Sequence, residues 1–384
     1  MTPPYFDRHR ITLYTGDAVD VLAQLRDGSA DCVVTSPPYW GLRDYGTGTW
    51  TGGDPACPHV LGGSPRVCRR CGAARHDQQC GLEPTLNDYI DNLRRVFAQL
   101  HRVLSDTGTL WLNLADSYST TPPGRTAEPM GTSTLTSRAS ARRLRDSVRH
   151  AAVDRTGELP QKNLHGLPWR VAFALQRDGW ILRNAVVWHK PNAMPQSVTD
   201  RLSCRYELLF LLVKQRHYFF DLDAIREPLA RAEAQGVDAG RRAHAGHSAR
   251  RRSSAREAAK YTDTGSFIER PGAGLRPTGR KHTSVHPRGK NPGDVWTLPT
   301  RPLKAAHFAA FPVDIPLRCI AAGCPEDGVV LDPFSGSGTT GLAARQLRRS
   351  YVGIDLRDDF HAIALDRLGL SRSDAHCDRT ERPE

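Results

Sequence analysis

No stretch of this sequence approaches the roughly 20 uninterrupted apolar residues that a membrane-crossing helix needs. The opening residues, MTPPYFDRHR, lack the apolar core of a signal peptide. Both absences set the expectation of a soluble, cytoplasmic protein with no membrane contact. No internal repeat sets a period along the chain. Lysine is scarce, 7 of 53 basic residues, a composition that goes with a GC-rich genome and decides nothing about chemistry. What is present suffices for a core: 39% of the 384 residues are hydrophobic, enough for one large domain with insertions or for two domains. Of the nine cysteines, Cys32, Cys204 and Cys319 sit alone, and three others cluster with a histidine between positions 57 and 71. That distribution suits a reducing compartment better than a disulfide framework.

The formal charge of +12 is uneven, because Arg226 to Asp294 holds 15 Lys and Arg against 7 Asp and Glu. A polyanionic partner is the natural inference, with a solvated basic segment as the plain alternative. Periodicity predicts a buried strand at Ala30 to Thr35 and a helix at Asn87 to Leu104 with Ile90, Leu93, Val96, Phe97, Leu100, Val103 and Leu104 on one face. Strand GTLWLNL follows, then a helix from Pro168 to Asp178 and strands WILRNAVVW and ELLFLLV. Near the end the rhythm sharpens: strand GVVLD (Gly328 to Asp332), a glycine turn, a helix from Thr339 to Leu347, and strand YVGID (Tyr351 to Asp355). The pattern predicts an α/β fold with a mostly parallel, doubly wound sheet covered by helices. Ser119 to Gln161 and Arg226 to Lys290 break that rhythm and read as long polar insertions facing a substrate.

Two stretches carry chemistry. In DCVVTSPPYW an apolar strand breaks into Thr35, Ser36, Pro37, Pro38, Tyr39 and Trp40. In LDPFSGSGTT, Gly336 and Gly338 lie between the strand ending at Asp332 and the helix beginning near Thr339. Missing β-carbons let a ligand approach, and Ser335, Ser337 and Thr339 can donate hydrogen bonds near the helix N-terminus. Asp355, 17 residues after Gly338, ends the next strand, where an acid can accept both hydroxyls of a ribose. The turn lacks a third glycine and a following Lys, so it matches neither a dinucleotide nor a Walker phosphate loop and prefers a nucleoside without pyrophosphate. Taken alone, a tight strand-to-helix connection explains it as well.

VTSPPY followed far downstream by DPFSGSGTT resembles the amino-group (N4-cytosine and N6-adenine) site-specific DNA methyltransferases, in the class whose catalytic motif precedes the S-adenosylmethionine motif. HFAAFP (His307 to Pro312) and VVWHKPNAMP are similar to further shared blocks. Ser-Pro-Pro-Tyr resembles the N4-cytosine enzymes more than the adenine enzymes, which usually have Asp-Pro-Pro-Tyr. The resemblance implies a Rossmann-like S-adenosylmethionine-dependent fold, double-stranded DNA as partner, base flipping and a restriction endonuclease acting separately. By resemblance alone, Asp17 reaches the adenine end of the cofactor, or simply caps a turn. Likewise Phe311 and Phe334 cover its adenine or ribose, and Asp332 belongs to the cofactor turn. An exocyclic amine is a poor nucleophile because its lone pair is delocalised into the ring. Ser36 Oγ and the Pro37 carbonyl, held stiff by Pro37 and Pro38, can accept its two N–H bonds and localise that pair. The target must leave the stack, and Tyr39 can lie against its face. Trp40 either extends that wall or packs in the core. No metal and no covalent enzyme intermediate is needed. Rival readings are an N6-adenine enzyme of the same fold, an RNA or protein amide methylase, and a non-catalytic zinc-bearing DNA-binding protein.

Cys57-Pro-His59, eight residues, then Cys68-Arg-Arg-Cys71-Gly72 reads as four ligands for a structural zinc ion, with Cys80 or His76 as substitutes and a loop of free thiols as the plain alternative. The expected organisation is a catalytic half in 1–56, 81–118 and 162–225, interrupted by the cysteine insertion at 57–80 and a polar insertion at 119–161. A target-recognition region at 226–294 follows, then a cofactor-binding half at 295–370 and a tail at 371–384.

Overall fold

The structure, a computed structural model, describes residues 2–41, 44–60, 67–119, 159–228, 288–301 and 311–372. In chain order the first elements are β1 (Phe6–Arg8), β2 (Ile11–Thr15), α1 (Ala18–Leu22), β3 (Ala30–Thr35), β4 (Thr49–Thr51), β5 (Ala74–His76), α2 (Leu86–Val103) and β6 (Leu104–Leu114). Then come α3 (Leu167–Arg177), β7 (Ile181–His189), β8 (Tyr206–Val213), β9 (Val295–Thr297), α4 (Asp314–Gly323), β10 (Val329–Asp332), α5 (Thr339–Gln346), β11 (Ser350–Asp355) and α6 (Asp358–Leu368). Two units divide the chain, Met1–Ala224 with Gly293–Glu384, and Ile225–Pro292. Within the smaller, Glu227 and Lys290 exchange both backbone hydrogen bonds, at 2.9 and 2.8 Å. Most of the 119–161 insertion and of the 226–294 region lies outside the described residues, as does His307.

The larger unit is built on a nine-stranded sheet in the order β1-β2-β11-β10-β3-β6-β8-β7-β9. The inner runs Cys32–Val34 of β3, Leu110–Leu112 of β6 and Leu208–Val213 of β8 are buried and continuously apolar, as strands covered on both faces require. All strands run the same way except β1 and β8. The reversal at β8 has a local cause: no helix separates β7 from β8, and without a crossover the two strands pair antiparallel.

Helices cover both faces. Thr85 caps α2 by accepting from Asp88 N at 3.0 Å, and the buried face of α2, from Leu86 through Leu93 to Val103, packs with α1 and α3 on the sheet. On the other face lie α4, α5 and α6. There Gly323 of α4 brings its backbone so near β6 that Thr109 Oγ1 donates to its carbonyl at 2.8 Å. The strand order sets the functional geometry. From β3 the chain crosses toward β6, and from β10 it turns the opposite way to β11, so the two neighbouring central strands diverge at their carboxyl ends. A crevice opens at such a switch point, and ligands collect there in open α/β sheets.

Candidate active site

Val330 pairs with Cys32 and Leu331 with Val33, which brings the two motifs side by side although about three hundred residues separate them. Asp332, at the end of β10, fastens them. Thr35 Oγ1 donates to its Oδ1 at 2.7 Å, Thr340 Oγ1 to its Oδ2 at 2.7 Å, and Phe334 N to Oδ1 at 3.1 Å. Burial pushes this carboxyl up to about 6 despite those three donors. The Asp332 side chain thus joins the end of β3, the glycine turn and the start of α5, with three of its lone pairs taken up by protein groups.

The glycine turn itself is held by left-handed backbone at Gly336 and Gly338, φ 49 and 70. A β-carbon on Gly338 would lie 2.7 Å from that of Ala364 in α6. Asp355 accepts from Gly336 N at 2.8 Å and from Arg357 N at 3.0 Å, and burial raises it to about 6. The turn hydroxyls have protein partners: Ser335 Oγ accepts from Tyr351 OH at 2.8 Å, while Arg367 Nη1 donates to Ser337 Oγ at 2.7 Å and Thr339 Oγ1 at 2.9 Å. Phe334 is partly buried against the core and Phe311 is buried.

Beyond β3, Ser36 Oγ lies 3.2 Å from Tyr39 OH, and Tyr39 OH lies 2.7 Å from Glu207 Oε2. Asn113 Nδ2 donates to both, at 2.8 Å to Tyr39 and 2.7 Å to Glu207, and Lys190 forms an ion pair with Glu207 Oε1. Burial, then the neighbouring Glu207 carboxylate, holds the Tyr39 phenol well above its ordinary range. The Pro38 carbonyl accepts from Tyr89 OH at 3.0 Å, stiffening the proline turn. Trp40 is buried, donates to Glu83 O at 2.9 Å and meets His165 edge-on, so it belongs to the core. Asp17 is the N-cap of α1, accepting from Val19 N at 2.8 Å and Asp20 N at 3.3 Å through Oδ1. A cavity of about 710 Å³ opens beside it, with Asp20, Thr49, Arg75 and Glu83 in its wall; neither Ser36 nor Gly336 lines it.

Thr35, Thr340, Asn113, Glu207 and Lys190 were not expected from the sequence. The available signal was a polar residue at the end of an apolar strand: Asn113 near the end of β6, Glu207 near the start of β8 and Lys190 just past β7.

Residues 30–366 match the family model for DNA methylases, N6_N4_Mtase. The chain belongs to that family of DNA methylases. Among relatives of this methylase are the Type II methyltransferases M.Cfr9I of Citrobacter freundii, 35% identical over 93% of this chain and 87% of that one, and M.XycI of Xanthomonas campestris pv. cyanopsidis, 36% identical over the same shares. M.SmaI of Serratia marcescens is 33% identical over 93% of this chain and 90% of its own. Among solved structures, PvuII DNA methyltransferase (cytosine-N4-specific) shares the fold, with a TM-score of 0.53 at 13% identity, covering 97% of this chain and 92% of that one.

Between β3 and α2 the methylase carries the cysteine insertion. The ligand atoms of Cys57, His59, Cys68 and Cys71 lie within 4.8 Å of one another. Cys57 Sγ to Cys68 Sγ is 4.0 Å and Cys71 Sγ to His59 Nδ1 is 3.3 Å, near the edges of about 3.5–3.8 Å that a tetrahedral zinc site requires. Neither Cys80 nor His76 joins the group, and Cys80 is buried elsewhere. Desolvation pushes the Cys68 thiol up, but backbone N–H groups of Cys71, Val60 and Arg70 outweigh it and bring it down to about 5. Trp50 of β4 stacks on His59 with ring centroids 4.7 Å apart. Arg75 of β5, nearly buried, binds Asp44 at 2.8 Å and Asp77 at 2.6 Å, tying the two-stranded β4-β5 sheet to the loop after the proline motif.

Proposed function

We propose that this methylase transfers a methyl group from S-adenosylmethionine to the N4 amine of cytosine at a specific site in double-stranded DNA, the target base being turned out of the helix. The observation that carries the reading is the Thr35–Asp332 hydrogen bond between neighbouring strands, since it fixes the proline motif and the glycine turn at one crevice. The residues suit the cofactor. Each oxygen of Asp355 accepts one backbone N–H and keeps a second lone pair for a ribose hydroxyl. Gly336 and Gly338 shape the turn in left-handed backbone at a helix N-terminus, Phe334 and Phe311 offer ring faces to the adenosine, and Ser335 and Thr339 remain within the turn that receives it. Asp17 accepts through Oδ1 when capping α1, which leaves Oδ2 for the adenine end. When bound, S-adenosylmethionine supplies a methyl group activated on sulfonium sulfur.

Ser36 Oγ and the Pro37 carbonyl accept the two N–H bonds of the amine, so its lone pair is freed from the ring, and the Tyr39 ring lies against the flipped base. Ser36, where the resemblance gives adenine enzymes an aspartate, favours cytosine. Residues 226–294 grip DNA phosphates with their surplus of eight positive charges and read base edges with Arg and His. Cys57, His59, Cys68 and Cys71 hold a structural zinc ion that closes the insertion and takes no part in methyl transfer. A separately acting restriction endonuclease is the companion expected of such an enzyme.

Sequencing DNA from a host that expresses this chain, by a method that reads modified bases, tests the reading. N4-methylcytosine within one short recurring sequence is the expected result; modification confined to adenine overturns the choice of base.

A further inference from the structure

Methylation of a neutral amine leaves the nitrogen with one proton too many. The lone pair forms the N–C bond, the S–C bonding pair stays on sulfur, and the surplus N–H proton must leave. We propose that Tyr39 and Glu207 carry this proton away from Ser36, with Asn113 and Lys190 holding the receiving carboxylate in place. The proposal rests on the methyl-transfer reading above.

The polarity of the hydrogen bonds argues for it. An ionised carboxylate only accepts, so the 2.7 Å contact between Tyr39 and Glu207 commits the single phenolic proton to Glu207. Tyr39 oxygen can then only accept from Ser36, which commits the single hydroxyl proton of Ser36 to Tyr39 at 3.2 Å. Asn113 Nδ2 donates to Tyr39 and Glu207 and leaves that order intact. Ser36 Oγ is thereby left with lone pairs for the amine. Protons can move one way along the chain: from the amine to Ser36 Oγ, from Ser36 to Tyr39, from Tyr39 to Glu207 Oε2. The Ser36 and Tyr39 oxygens each give up one proton as they gain one, and the positive charge left on the methylated amine ends by neutralising the Glu207 carboxylate. The side chains of Glu207 and Lys190 are 12% and 18% exposed, so the far end of the route touches solvent, where the proton is released. Among the described residues, the titratable groups facing this route are Lys190 on Glu207, and Tyr45 and Tyr89 on Tyr39.

Single-turnover methylation by the full-length protein, with S-adenosylmethionine and a DNA carrying the site, tests this. Tyr39→Phe keeps the ring against the base and removes the relay. Glu207→Gln keeps the size and removes the acceptor. Each is expected to slow transfer on the order of 100-fold, and the double variant to be no slower than the worse single. Isothermal titration of each variant with S-adenosylmethionine, at unchanged affinity, confirms the fold. Wild-type transfer is expected to slow in D2O, where the relayed protons are deuterons, and Glu207→Gln to lose most of that sensitivity. A rate loss that keeps the wild-type solvent isotope effect, or no rate loss at all, overturns the proposal. If the wild-type protein itself moves no methyl group to DNA, the methyl-transfer reading has failed instead.

Discussion

Replacing Asp332 by asparagine separates a latch from a ligand contact. Asp332 ionises at about 6 in the folded chain against an ordinary value of 3.8. At about 1.4 kcal/mol for each pKa unit, its charged form is about 3 kcal/mol less favourable in the fold than in the unfolded chain. The sign follows from proton counting. Between 3.8 and about 6 the folded protein holds a proton that the unfolded chain has released, so this group costs stability progressively as pH rises through that window and by a constant amount above it. Asparagine does not titrate, and its amide can donate to Thr340 Oγ1, whose own proton has the Val34 carbonyl 3.2 Å away as an alternative acceptor. Equilibrium urea unfolding of both proteins between about pH 5 and about pH 7.5 should therefore show the stability of Asp332→Asn rising against wild type by about 1.4 kcal/mol. Asp355, raised in part by Asp332, relaxes in the same direction. S-adenosylmethionine affinity should change by less than about tenfold, since the carboxylate is taken up by Thr35, Thr340 and Phe334. A stability difference independent of pH, or a loss of cofactor affinity far beyond tenfold, refutes the latch.

Ser36→Ala removes an acceptor for the target amine and should lower the single-turnover rate on the order of 10²-fold with cofactor binding intact; calorimetry beside a rate measurement checks both. Gly338→Ala combines left-handed backbone with a β-carbon 2.7 Å from that of Ala364, so thermal unfolding should register a loss above about 2 kcal/mol. At Gly369, φ 63 with open space around it, the same change should cost only about 1 kcal/mol. Atomic absorption should find one zinc per chain, and Cys68→Ser should abolish it and lower the melting temperature; a protein free of metal with wild-type melting behaviour contradicts the zinc site.

The strands that build the crevice were legible because both faces are buried. Ala30 to Thr35 and Tyr351 to Asp355 are apolar runs bounded by turns, and the predicted helix at Asn87 to Leu104 differs from Leu86–Val103 by one residue at each end. The β1-β2 hairpin was not, because its turn puts His9 and Arg10 at positive φ, where glycine or asparagine would have signalled it. Helix α4 escaped because Pro316 lies in its first turn and its apolar residues give little contrast between faces. The motifs at Ser36 and Gly336 are local in sequence and could be read directly. Their supports are not: Thr35 meets Asp332 across 297 positions, and Tyr39 meets Glu207 across 168, through strand neighbours that only the folded sheet creates. Trp40 carries no local mark to tell a pocket wall from a core residue; its indole bond to Glu83 decides it. The Cys57, His59, Cys68 and Cys71 cluster was readable because its four side chains fall close together in sequence, whereas Asp44, Arg75 and Asp77 around it look like ordinary surface charges until they pair.

The most direct measurement is mass spectrometry of nucleosides from unmodified DNA after incubation with the purified chain and S-adenosylmethionine carrying a deuterated methyl group. Deuterated N4-methyl-2′-deoxycytidine is expected from wild type, with its near-disappearance in Ser36→Ala. Label in N6-methyladenine, label in neither base, or an undiminished yield without the Ser36 hydroxyl contradicts it.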